Sequence, residues 1–415
     1  MHLVIFETSA WVDFAPITLT RPVFCLASGM VTLLQRQLRV LKPDRLTLWV
    51  RPELAEFCRQ RVLPQLHIPA DVNRPLDDSP AILLNAAICR PAALPAFPPA
   101  TALEPCIHFA PNGHVAFAAV QSPGLCPADI FDNSSRWQEV LQLRPIDTPQ
   151  QLATQIADLI HENDKLITED FADLSATYQS LPAGLFHAIG SANIRVGPDV
   201  QISPGVVLDA SSGPIVLDSG VHVGANSVIE GPCYIGPKTT VRPLTLVRGG
   251  MTIGPACKVG GELAQSVIQG NSNKGHDGYL GHSFLGEWVN LGAGTITSNL
   301  KNTYGQISLK IGARDINTGK IFMGALIGDF TKTAIGTRLM SGSYLGVNTM
   351  IACSDYSPRF IGSFRFITDA RQEPYELNKA VEVAKRVFAR RNRPFTGVDT
   401  QLMDYARTAA ETAEG

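Results

Sequence analysis

Residues 217–260 read LDSGVHVGANSVIEGPCYIGPKTTVRPLTLVRGGMTIGPACKVG. Leu217, Val223, Ile229, Ile235, Val241, Val247, Ile253 and Val259 follow one another at six-residue steps. Val196, Ile202 and Leu208 form an earlier run displaced by three, and Leu285 with Leu291, Ile321 with Ile327 and Leu345 with Ile351 continue the period. Six does not keep one face of an α-helix aligned. It is the period of a parallel β-helix: each hexad gives a short strand, turns its aliphatic residue inward and rounds a corner on small residues. Three hexads close a coil, and coils stack at about 4.8 Å. The period breaks between about 260 and 284 and again between about 297 and 320, and such breaks predict loops on the outside of the solenoid.

Outward from this core the text changes. HLVIF (2–6), RLTLWV (45–50) and AILLNAAI (81–88) predict buried strands, and VTLLQRQLRVL (31–41) predicts a helix between the first two. This alternation implies an α/β domain with a mostly parallel, Rossmann-like sheet. PAALPAFPPATALEP (91–105) predicts a surface loop, and 148–174 a helix capped by Thr148 that leads out of the domain. After 357 the period ends. Helices over 373–393 and near 399–412 are expected, as a cap on the last coil's open edge. The chain thus divides into 1–185, 186–357 and 358–415.

At 415 residues, 45% apolar and 17% charged, the chain is globular. A net charge of −2 gives no reason to expect nucleic acid or an anionic membrane as partner. No apolar run is long enough to span a bilayer, and MHLVIFETSAW lacks the features of a signal peptide. Eight scattered cysteines without a CxxC are then expected to be reduced and mostly buried, in a cytoplasmic protein.

The first break contains NSNKGHDGYLG (271–281). A histidine there, His276, is suited to move protons near neutral pH and to act as a general base. Two other readings stand beside it. His276 and His282, with a third ligand such as His222, would make a zinc site, although a six-residue step carries a residue to the next face. Or the break accommodates a loop with no chemistry.

The stretch NKGHDGYLGHSFLGEWVNLGAGTITSNLKN (273–302) resembles the acetyltransferase domain of the bifunctional bacterial enzymes that make UDP-N-acetylglucosamine. Their pattern runs K-x-G-H-x-x-Y-L-G, then V-N-I-G-A-G-T-I-T-x-N. The resemblance implies a left-handed β-helix assembled as a homotrimer, using acetyl-CoA on an amino-sugar phosphate such as glucosamine-1-phosphate. It implies His276 as the base and Glu262 as the acid that orients it. Tyr279, Asn290 and Asn299 would bind the sugar, with Arg248, Lys274 and Lys301 as nearby cations, and Ala293 with Gly292 would meet the thioester. Departures are Ala264 where the family has a phosphate-binding lysine, Leu300 for a tyrosine, and Tyr304 or Gly305 at a basic position.

APITLTRPVFCLASGM (15–30), LLNAAICRP (83–91) and ENDKLITEDF (162–171) resemble a divergent branch of sugar-1-phosphate nucleotidyltransferases. That implies Thr20 and Arg21 at a nucleotide, with Mg²⁺ and a nucleoside triphosphate. Cys25, Ala27 and Ala87 replace charged residues of the branch and weaken phosphate chemistry. Three functions remain open at this point: acyl transfer, nucleotidyl transfer, or a trimeric nucleotide-sugar-binding module without catalysis.

Overall fold

All eight aliphatic residues from Leu217 to Val259 are without exposed surface in the computed structural model. The structure describes residues 1–77, 79–93, 104–121, 124–129, 144–147, 152–174, 178–181 and 183–415. Thr148 and most of the proline-rich stretch lie outside the described residues.

The period builds a parallel β-helix with three faces. Ile215–Leu217, Cys233–Ile235 and Met251–Ile253 stack in register on the first face. His222–Val223, Thr240–Val241 and Lys258–Val259 form the second, and Val228–Glu230 with Leu246–Val247 the third. Partners such as His222, Thr240 and Lys258 are 18 residues apart, three hexads per coil. The first face reaches ten strands, including one antiparallel strand at its start.

The two breaks differ from expectation and from each other. Between 260 and 284 no loop leaves the wall: Glu262–Ala264, Val267–Gly270, Asn273–Lys274 and Tyr279–Gly281 all pair with the coil before them. Lys258 pairs with Asn273 only 15 residues on, so this coil is shortened and the period shifts without an insertion. The second break is a true excursion, containing the hairpin Ser308–Ile311 with Arg314–Asn317. Ile321, expected inside, is 48% exposed, because it sits where the excursion returns.

In the α/β domain the strands are β1 (His2–Phe6), β2 (Arg45–Trp49), β3 (Ala70–Val72), β4 (Ala81–Asn85), β5 (Cys106–Phe109), β6 (Val115–Val120) and β7 (Arg144–Asp147). Their order is β3-β2-β1-β4-β6-β5-β7, with only the β4–β6 and β5–β6 pairs antiparallel. Every residue of β1 and β4 is buried, as their unbroken apolar runs require. Helix α1 (Leu33–Leu41) starts at a capping box of Thr32 and Gln35. Helix α2 (Ile156–Ala172) leads out of the domain and lies on the β-helix.

The two domains are sewn together through residues 20–30. Thr20 donates to Asp329 Oδ2 at 2.8 Å, and Arg21 pairs with Asp329 and, at 3.5 Å, with Glu287. Gln269 accepts from Ala27 N–H and donates to the Cys25 carbonyl. Thr252 donates to the Gly29 carbonyl, and Asn163 of α2 accepts from Gly29 N–H while donating to Gly250.

Parallel stacking continues past 357 to Arg365–Thr368, whose far edge pairs with Gln372–Pro374. That strand covers the last coil's edge on the second face. Helices α3 (Leu377–Ala389) and α4 (Gly397–Glu414) run back between the domains, and α4 ends against the last coil, where Glu414 accepts from Ser363 N–H and Oγ at 2.6 Å each. Phe388 stacks on Trp288 with centroids 4.1 Å apart, and Glu414 accepts from the Tyr344 hydroxyl at 2.9 Å. Arg51 of the α/β domain donates to the Tyr405 hydroxyl. All eight cysteines are free, four of them buried. Among the described residues no helix is long and apolar enough to cross a membrane.

Candidate active site

Residues 275–278 form the corner between Asn273–Lys274 on the second face and Tyr279–Gly281 on the third. His276 is exposed at this corner. Beneath it Lys274 is buried, and its ammonium donates to the carbonyls of Gly260, His276 and Asp277 at 3.2, 2.7 and 2.9 Å. Burial pushes its pKa down to about 8. Lys274, expected as a cation for substrate, is therefore the internal tie of the loop that carries His276. Gly278, at φ +105°, lets the loop pass close under the Thr295 carbonyl of the next coil.

Glu262 stands directly below Tyr279 in the third face's register. Its carboxylate pairs with Arg248 at 2.8 Å, both side chains partly exposed; among the described residues it makes no hydrogen bond to His276. Glu262, Arg248 and Tyr279 thus line one surface beside the corner. The Tyr279 ring folds over Gly281, where any Cβ would overlap its hydroxyl. Burial is the main cause that raises the Tyr279 phenol above its usual pKa. Asn299 enters from the start of the excursion and donates from Nδ2 to the Tyr279 hydroxyl at 2.9 Å.

Asn290 is on the other side of the corner, on the second face, where its Oδ1 accepts from Asn273 Nδ2 at 3.2 Å. Gly292 fits only as glycine, since a Cβ would lie 2.5 Å from the Ala334 backbone. The Ala293 carbonyl accepts from Gly336 N–H of the following coil at 2.7 Å. The residues expected at the site therefore bracket one corner without forming a single contact cluster. Ala264, where the resemblance implies a lysine, pairs with Gly281.

Sequence reading missed one participant. His282 reads in the sequence only as a zinc ligand, yet its Nδ1 lies 2.8 Å from Asn299 Nδ2, and its ring stacks on Phe322. Burial pushes its pKa down to about 4. No pattern marks this role, because its partners come from the excursion and from α2.

The other predicted site takes a different form. Thr20 and both terminal nitrogens of Arg21 are engaged by Asp329 and Glu287, and the cavity they line, about 270 Å³, also carries those two carboxylates, which disfavour a phosphate there. The crevice at the carboxyl ends of β1 and β4, lined by Glu7, Asn85 and His114 among others, holds about 50 Å³, against the several hundred of ordinary ligand pockets. Glu7 is buried and pairs with Arg51 at 3.2 Å. Among the described residues no three His, Cys, Asp or Glu side chains are grouped to hold a metal ion. These donors do not fit Mg²⁺ with a nucleoside triphosphate.

Residues 3–178 match the model of a sugar nucleotidyl transferase family. That match to the sugar nucleotidyl transferases covers the α/β domain and α2 and stops before the β-helix. The chain is also similar to the bifunctional protein GlmU of Acaryochloris marina, 31% identical over 176 residues, covering 38% of this chain and 34% of that protein. A bifunctional sugar-1-phosphate nucleotidylyltransferase/acetyltransferase of Sulfurisphaera tokodaii is 29% identical over 157 residues, covering 38% of this chain and 37% of its own. The chain thus spans 34% and 37% of the length of these curated relatives. Among solved structures, a putative acetyltransferase of Bacillus cereus covers 55% of this chain and 98% of its own at 12% identity and a TM-score of 0.20.

Proposed function

We propose that the β-helix is an acetyl-CoA-dependent N-acyltransferase acting on an amino-sugar phosphate, glucosamine-1-phosphate or a close relative, in nucleotide-sugar biosynthesis. The observation that carries this reading is the exposed imidazole of His276 at a corner flanked by Glu262, Arg248 and Tyr279 on one side and Asn290 on the other. An ammonium is not nucleophilic. His276 takes one proton from it, and the free amine attacks the thioester carbonyl. The C–S bond breaks, CoA leaves as thiolate, and a proton from the amide nitrogen or from His276 neutralises it. No acyl-enzyme is needed. In this reading Arg248 would hold the phosphate, exchanging Glu262 for it, and Ala293 with Gly292 would meet the thioester end.

The active unit in this reading is a homotrimer. Leu244 and Ile335, each 77% exposed, lie at the same corner as His276 in other coils, between strands of the second and third faces. A second copy laid along this corner would cover them and close the acceptor groove. Eight free thiols fit a reducing compartment such as the cytoplasm.

Nucleotidyl transfer by the α/β domain is a second reading, favoured by the family match over residues 3–178. The commitment of Thr20 and Arg21 to Asp329 supports instead a domain kept for docking. Thiol release from acetyl-CoA with a panel of amino-sugar phosphates tests the first reading. Pyrophosphate release from nucleoside triphosphates with Mg²⁺ and sugar-1-phosphates tests the second.

A further inference from the structure

The Asn299 amide stands between two groups. Its Nδ2 is 2.9 Å from the Tyr279 hydroxyl and 2.8 Å from His282 Nδ1. An amide nitrogen has two protons and no acceptor capacity, so with both given away its donor side is spent. His282 Nδ1 must then accept, which puts the ring proton on Nε2. Asn299 Oδ1 takes no hydrogen bond among the described residues, and the Tyr279 hydroxyl proton finds no acceptor there either. Asn299 is only partly buried.

His282 is fixed from several sides. Its own N–H donates to the Ala264 carbonyl at 3.2 Å, and its carbonyl accepts from Gly324 N–H at 2.8 Å. Its ring stacks on Phe322, centroids 5.1 Å apart and 20° between planes. The His161 ring of α2 lies 5.6 Å away and bonds the Phe322 carbonyl at 2.9 Å through Nε2. A helix that begins in the α/β domain thus backs the side chain that orients Asn299.

We infer that His282, buttressed by Phe322 and by His161 of α2, is a positioning residue that locks the Asn299 amide with Oδ1 toward the acceptor groove. The acceptor is then read by a complementary pair, the Tyr279 O–H donating and Asn299 Oδ1 accepting. It must present an oxygen to the first and an N–H or O–H to the second, as an amino sugar does and a second phosphate oxygen does not. This rests on the acyltransferase reading for its substrate, but its geometry does not.

The test has two arms, both on the full chain. Histidine ¹⁵N spectra, with His282 assigned by its loss in His282→Asn, should show a neutral Nε2–H ring with a bare Nδ1 across the neutral pH range. An Nδ1–H tautomer or an imidazolium overturns the inference. In the kinetic arm, His282→Leu should raise the acceptor KM roughly tenfold, the size of one lost orienting hydrogen bond, without changing the acetyl-CoA KM. His282→Asn places an oxygen where Nδ1 was and suits the residue's φ of +47°. It should recover the KM to within about threefold of wild type. A leucine variant equal to wild type, or an asparagine variant as poor as leucine, also overturns the inference. If wild type turns over no amino-sugar phosphate, the acyltransferase reading fails, and the spectrum alone decides the geometry.

Discussion

Arg21 of the α/β domain and Asp329 of the β-helix form a buried ion pair across the domain joint. Asp329 also accepts from the Thr20 hydroxyl and from Glu287 N–H, both at 2.8 Å. Removing one partner leaves the other charge buried, whereas replacing both with uncharged groups does not. Asp329→Ala should cost about 3–5 kcal/mol in urea unfolding, and Arg21→Met with Asp329→Asn, which removes both charges and keeps an acceptor for the Glu287 N–H, much less. Equal losses would show that the joint does not depend on this pair.

Lys274, which is buried, and Lys332, which is half-buried, set a pH dependence. Burial lowers Lys274 and Lys332 from 10.5 to about 8. Between those values the unfolded chain holds more protons than the folded one, so stability rises with pH. Their contribution is fully present above 10.5 and is lost as pH falls through 8. Unfolding midpoints measured across this window should climb in wild type and climb less in Lys274→Met. A variant with the wild-type slope would show that Lys274 keeps its ordinary pKa.

Gly281 is required by the ring above it. In Gly281→Ala the new methyl group overlaps the Tyr279 hydroxyl and displaces it from Asn299. The acceptor KM should rise roughly tenfold, as for a lost hydrogen bond, while the acetyl-CoA KM stays unchanged. An unchanged acceptor KM would remove Tyr279 from the proposed sugar site.

What the sequence reveals here depends on the distance over which a residue's role is set. Leu217 through Val259 are legible because a coil repeats every 18 residues and each position meets its own copy. The polar stretch 271–281 stands out for the same reason, as an exception to a period. Ile321 misleads, since spacing cannot tell a coil from the return limb of an excursion. Thr20 and Arg21 read as a phosphate motif because nothing nearby shows that a carboxylate 308 positions away takes the arginine. Lys274 reads as a free cation because its three carbonyl acceptors carry no side-chain signature. His282 is hidden likewise: its neighbour His161 lies in a helix of the preceding domain.

Association should depend on the exposed corner. Leu244→Asp puts a charge into the surface proposed to face a second copy. Sedimentation should show wild type as a trimer and the variant shifted to monomer, with thiol release falling in parallel. A wild-type monomer that retains turnover would contradict the shared-site arrangement.

The most direct measurement of the central claim is CoA thiol release from acetyl-CoA and glucosamine-1-phosphate by wild type and by His276→Ala. His276 is exposed, so its loss should leave stability within about 0.5 kcal/mol. Removing the general base should lower kcat by roughly 10²–10⁴. A folded His276→Ala protein that releases thiol at the wild-type rate would contradict the account.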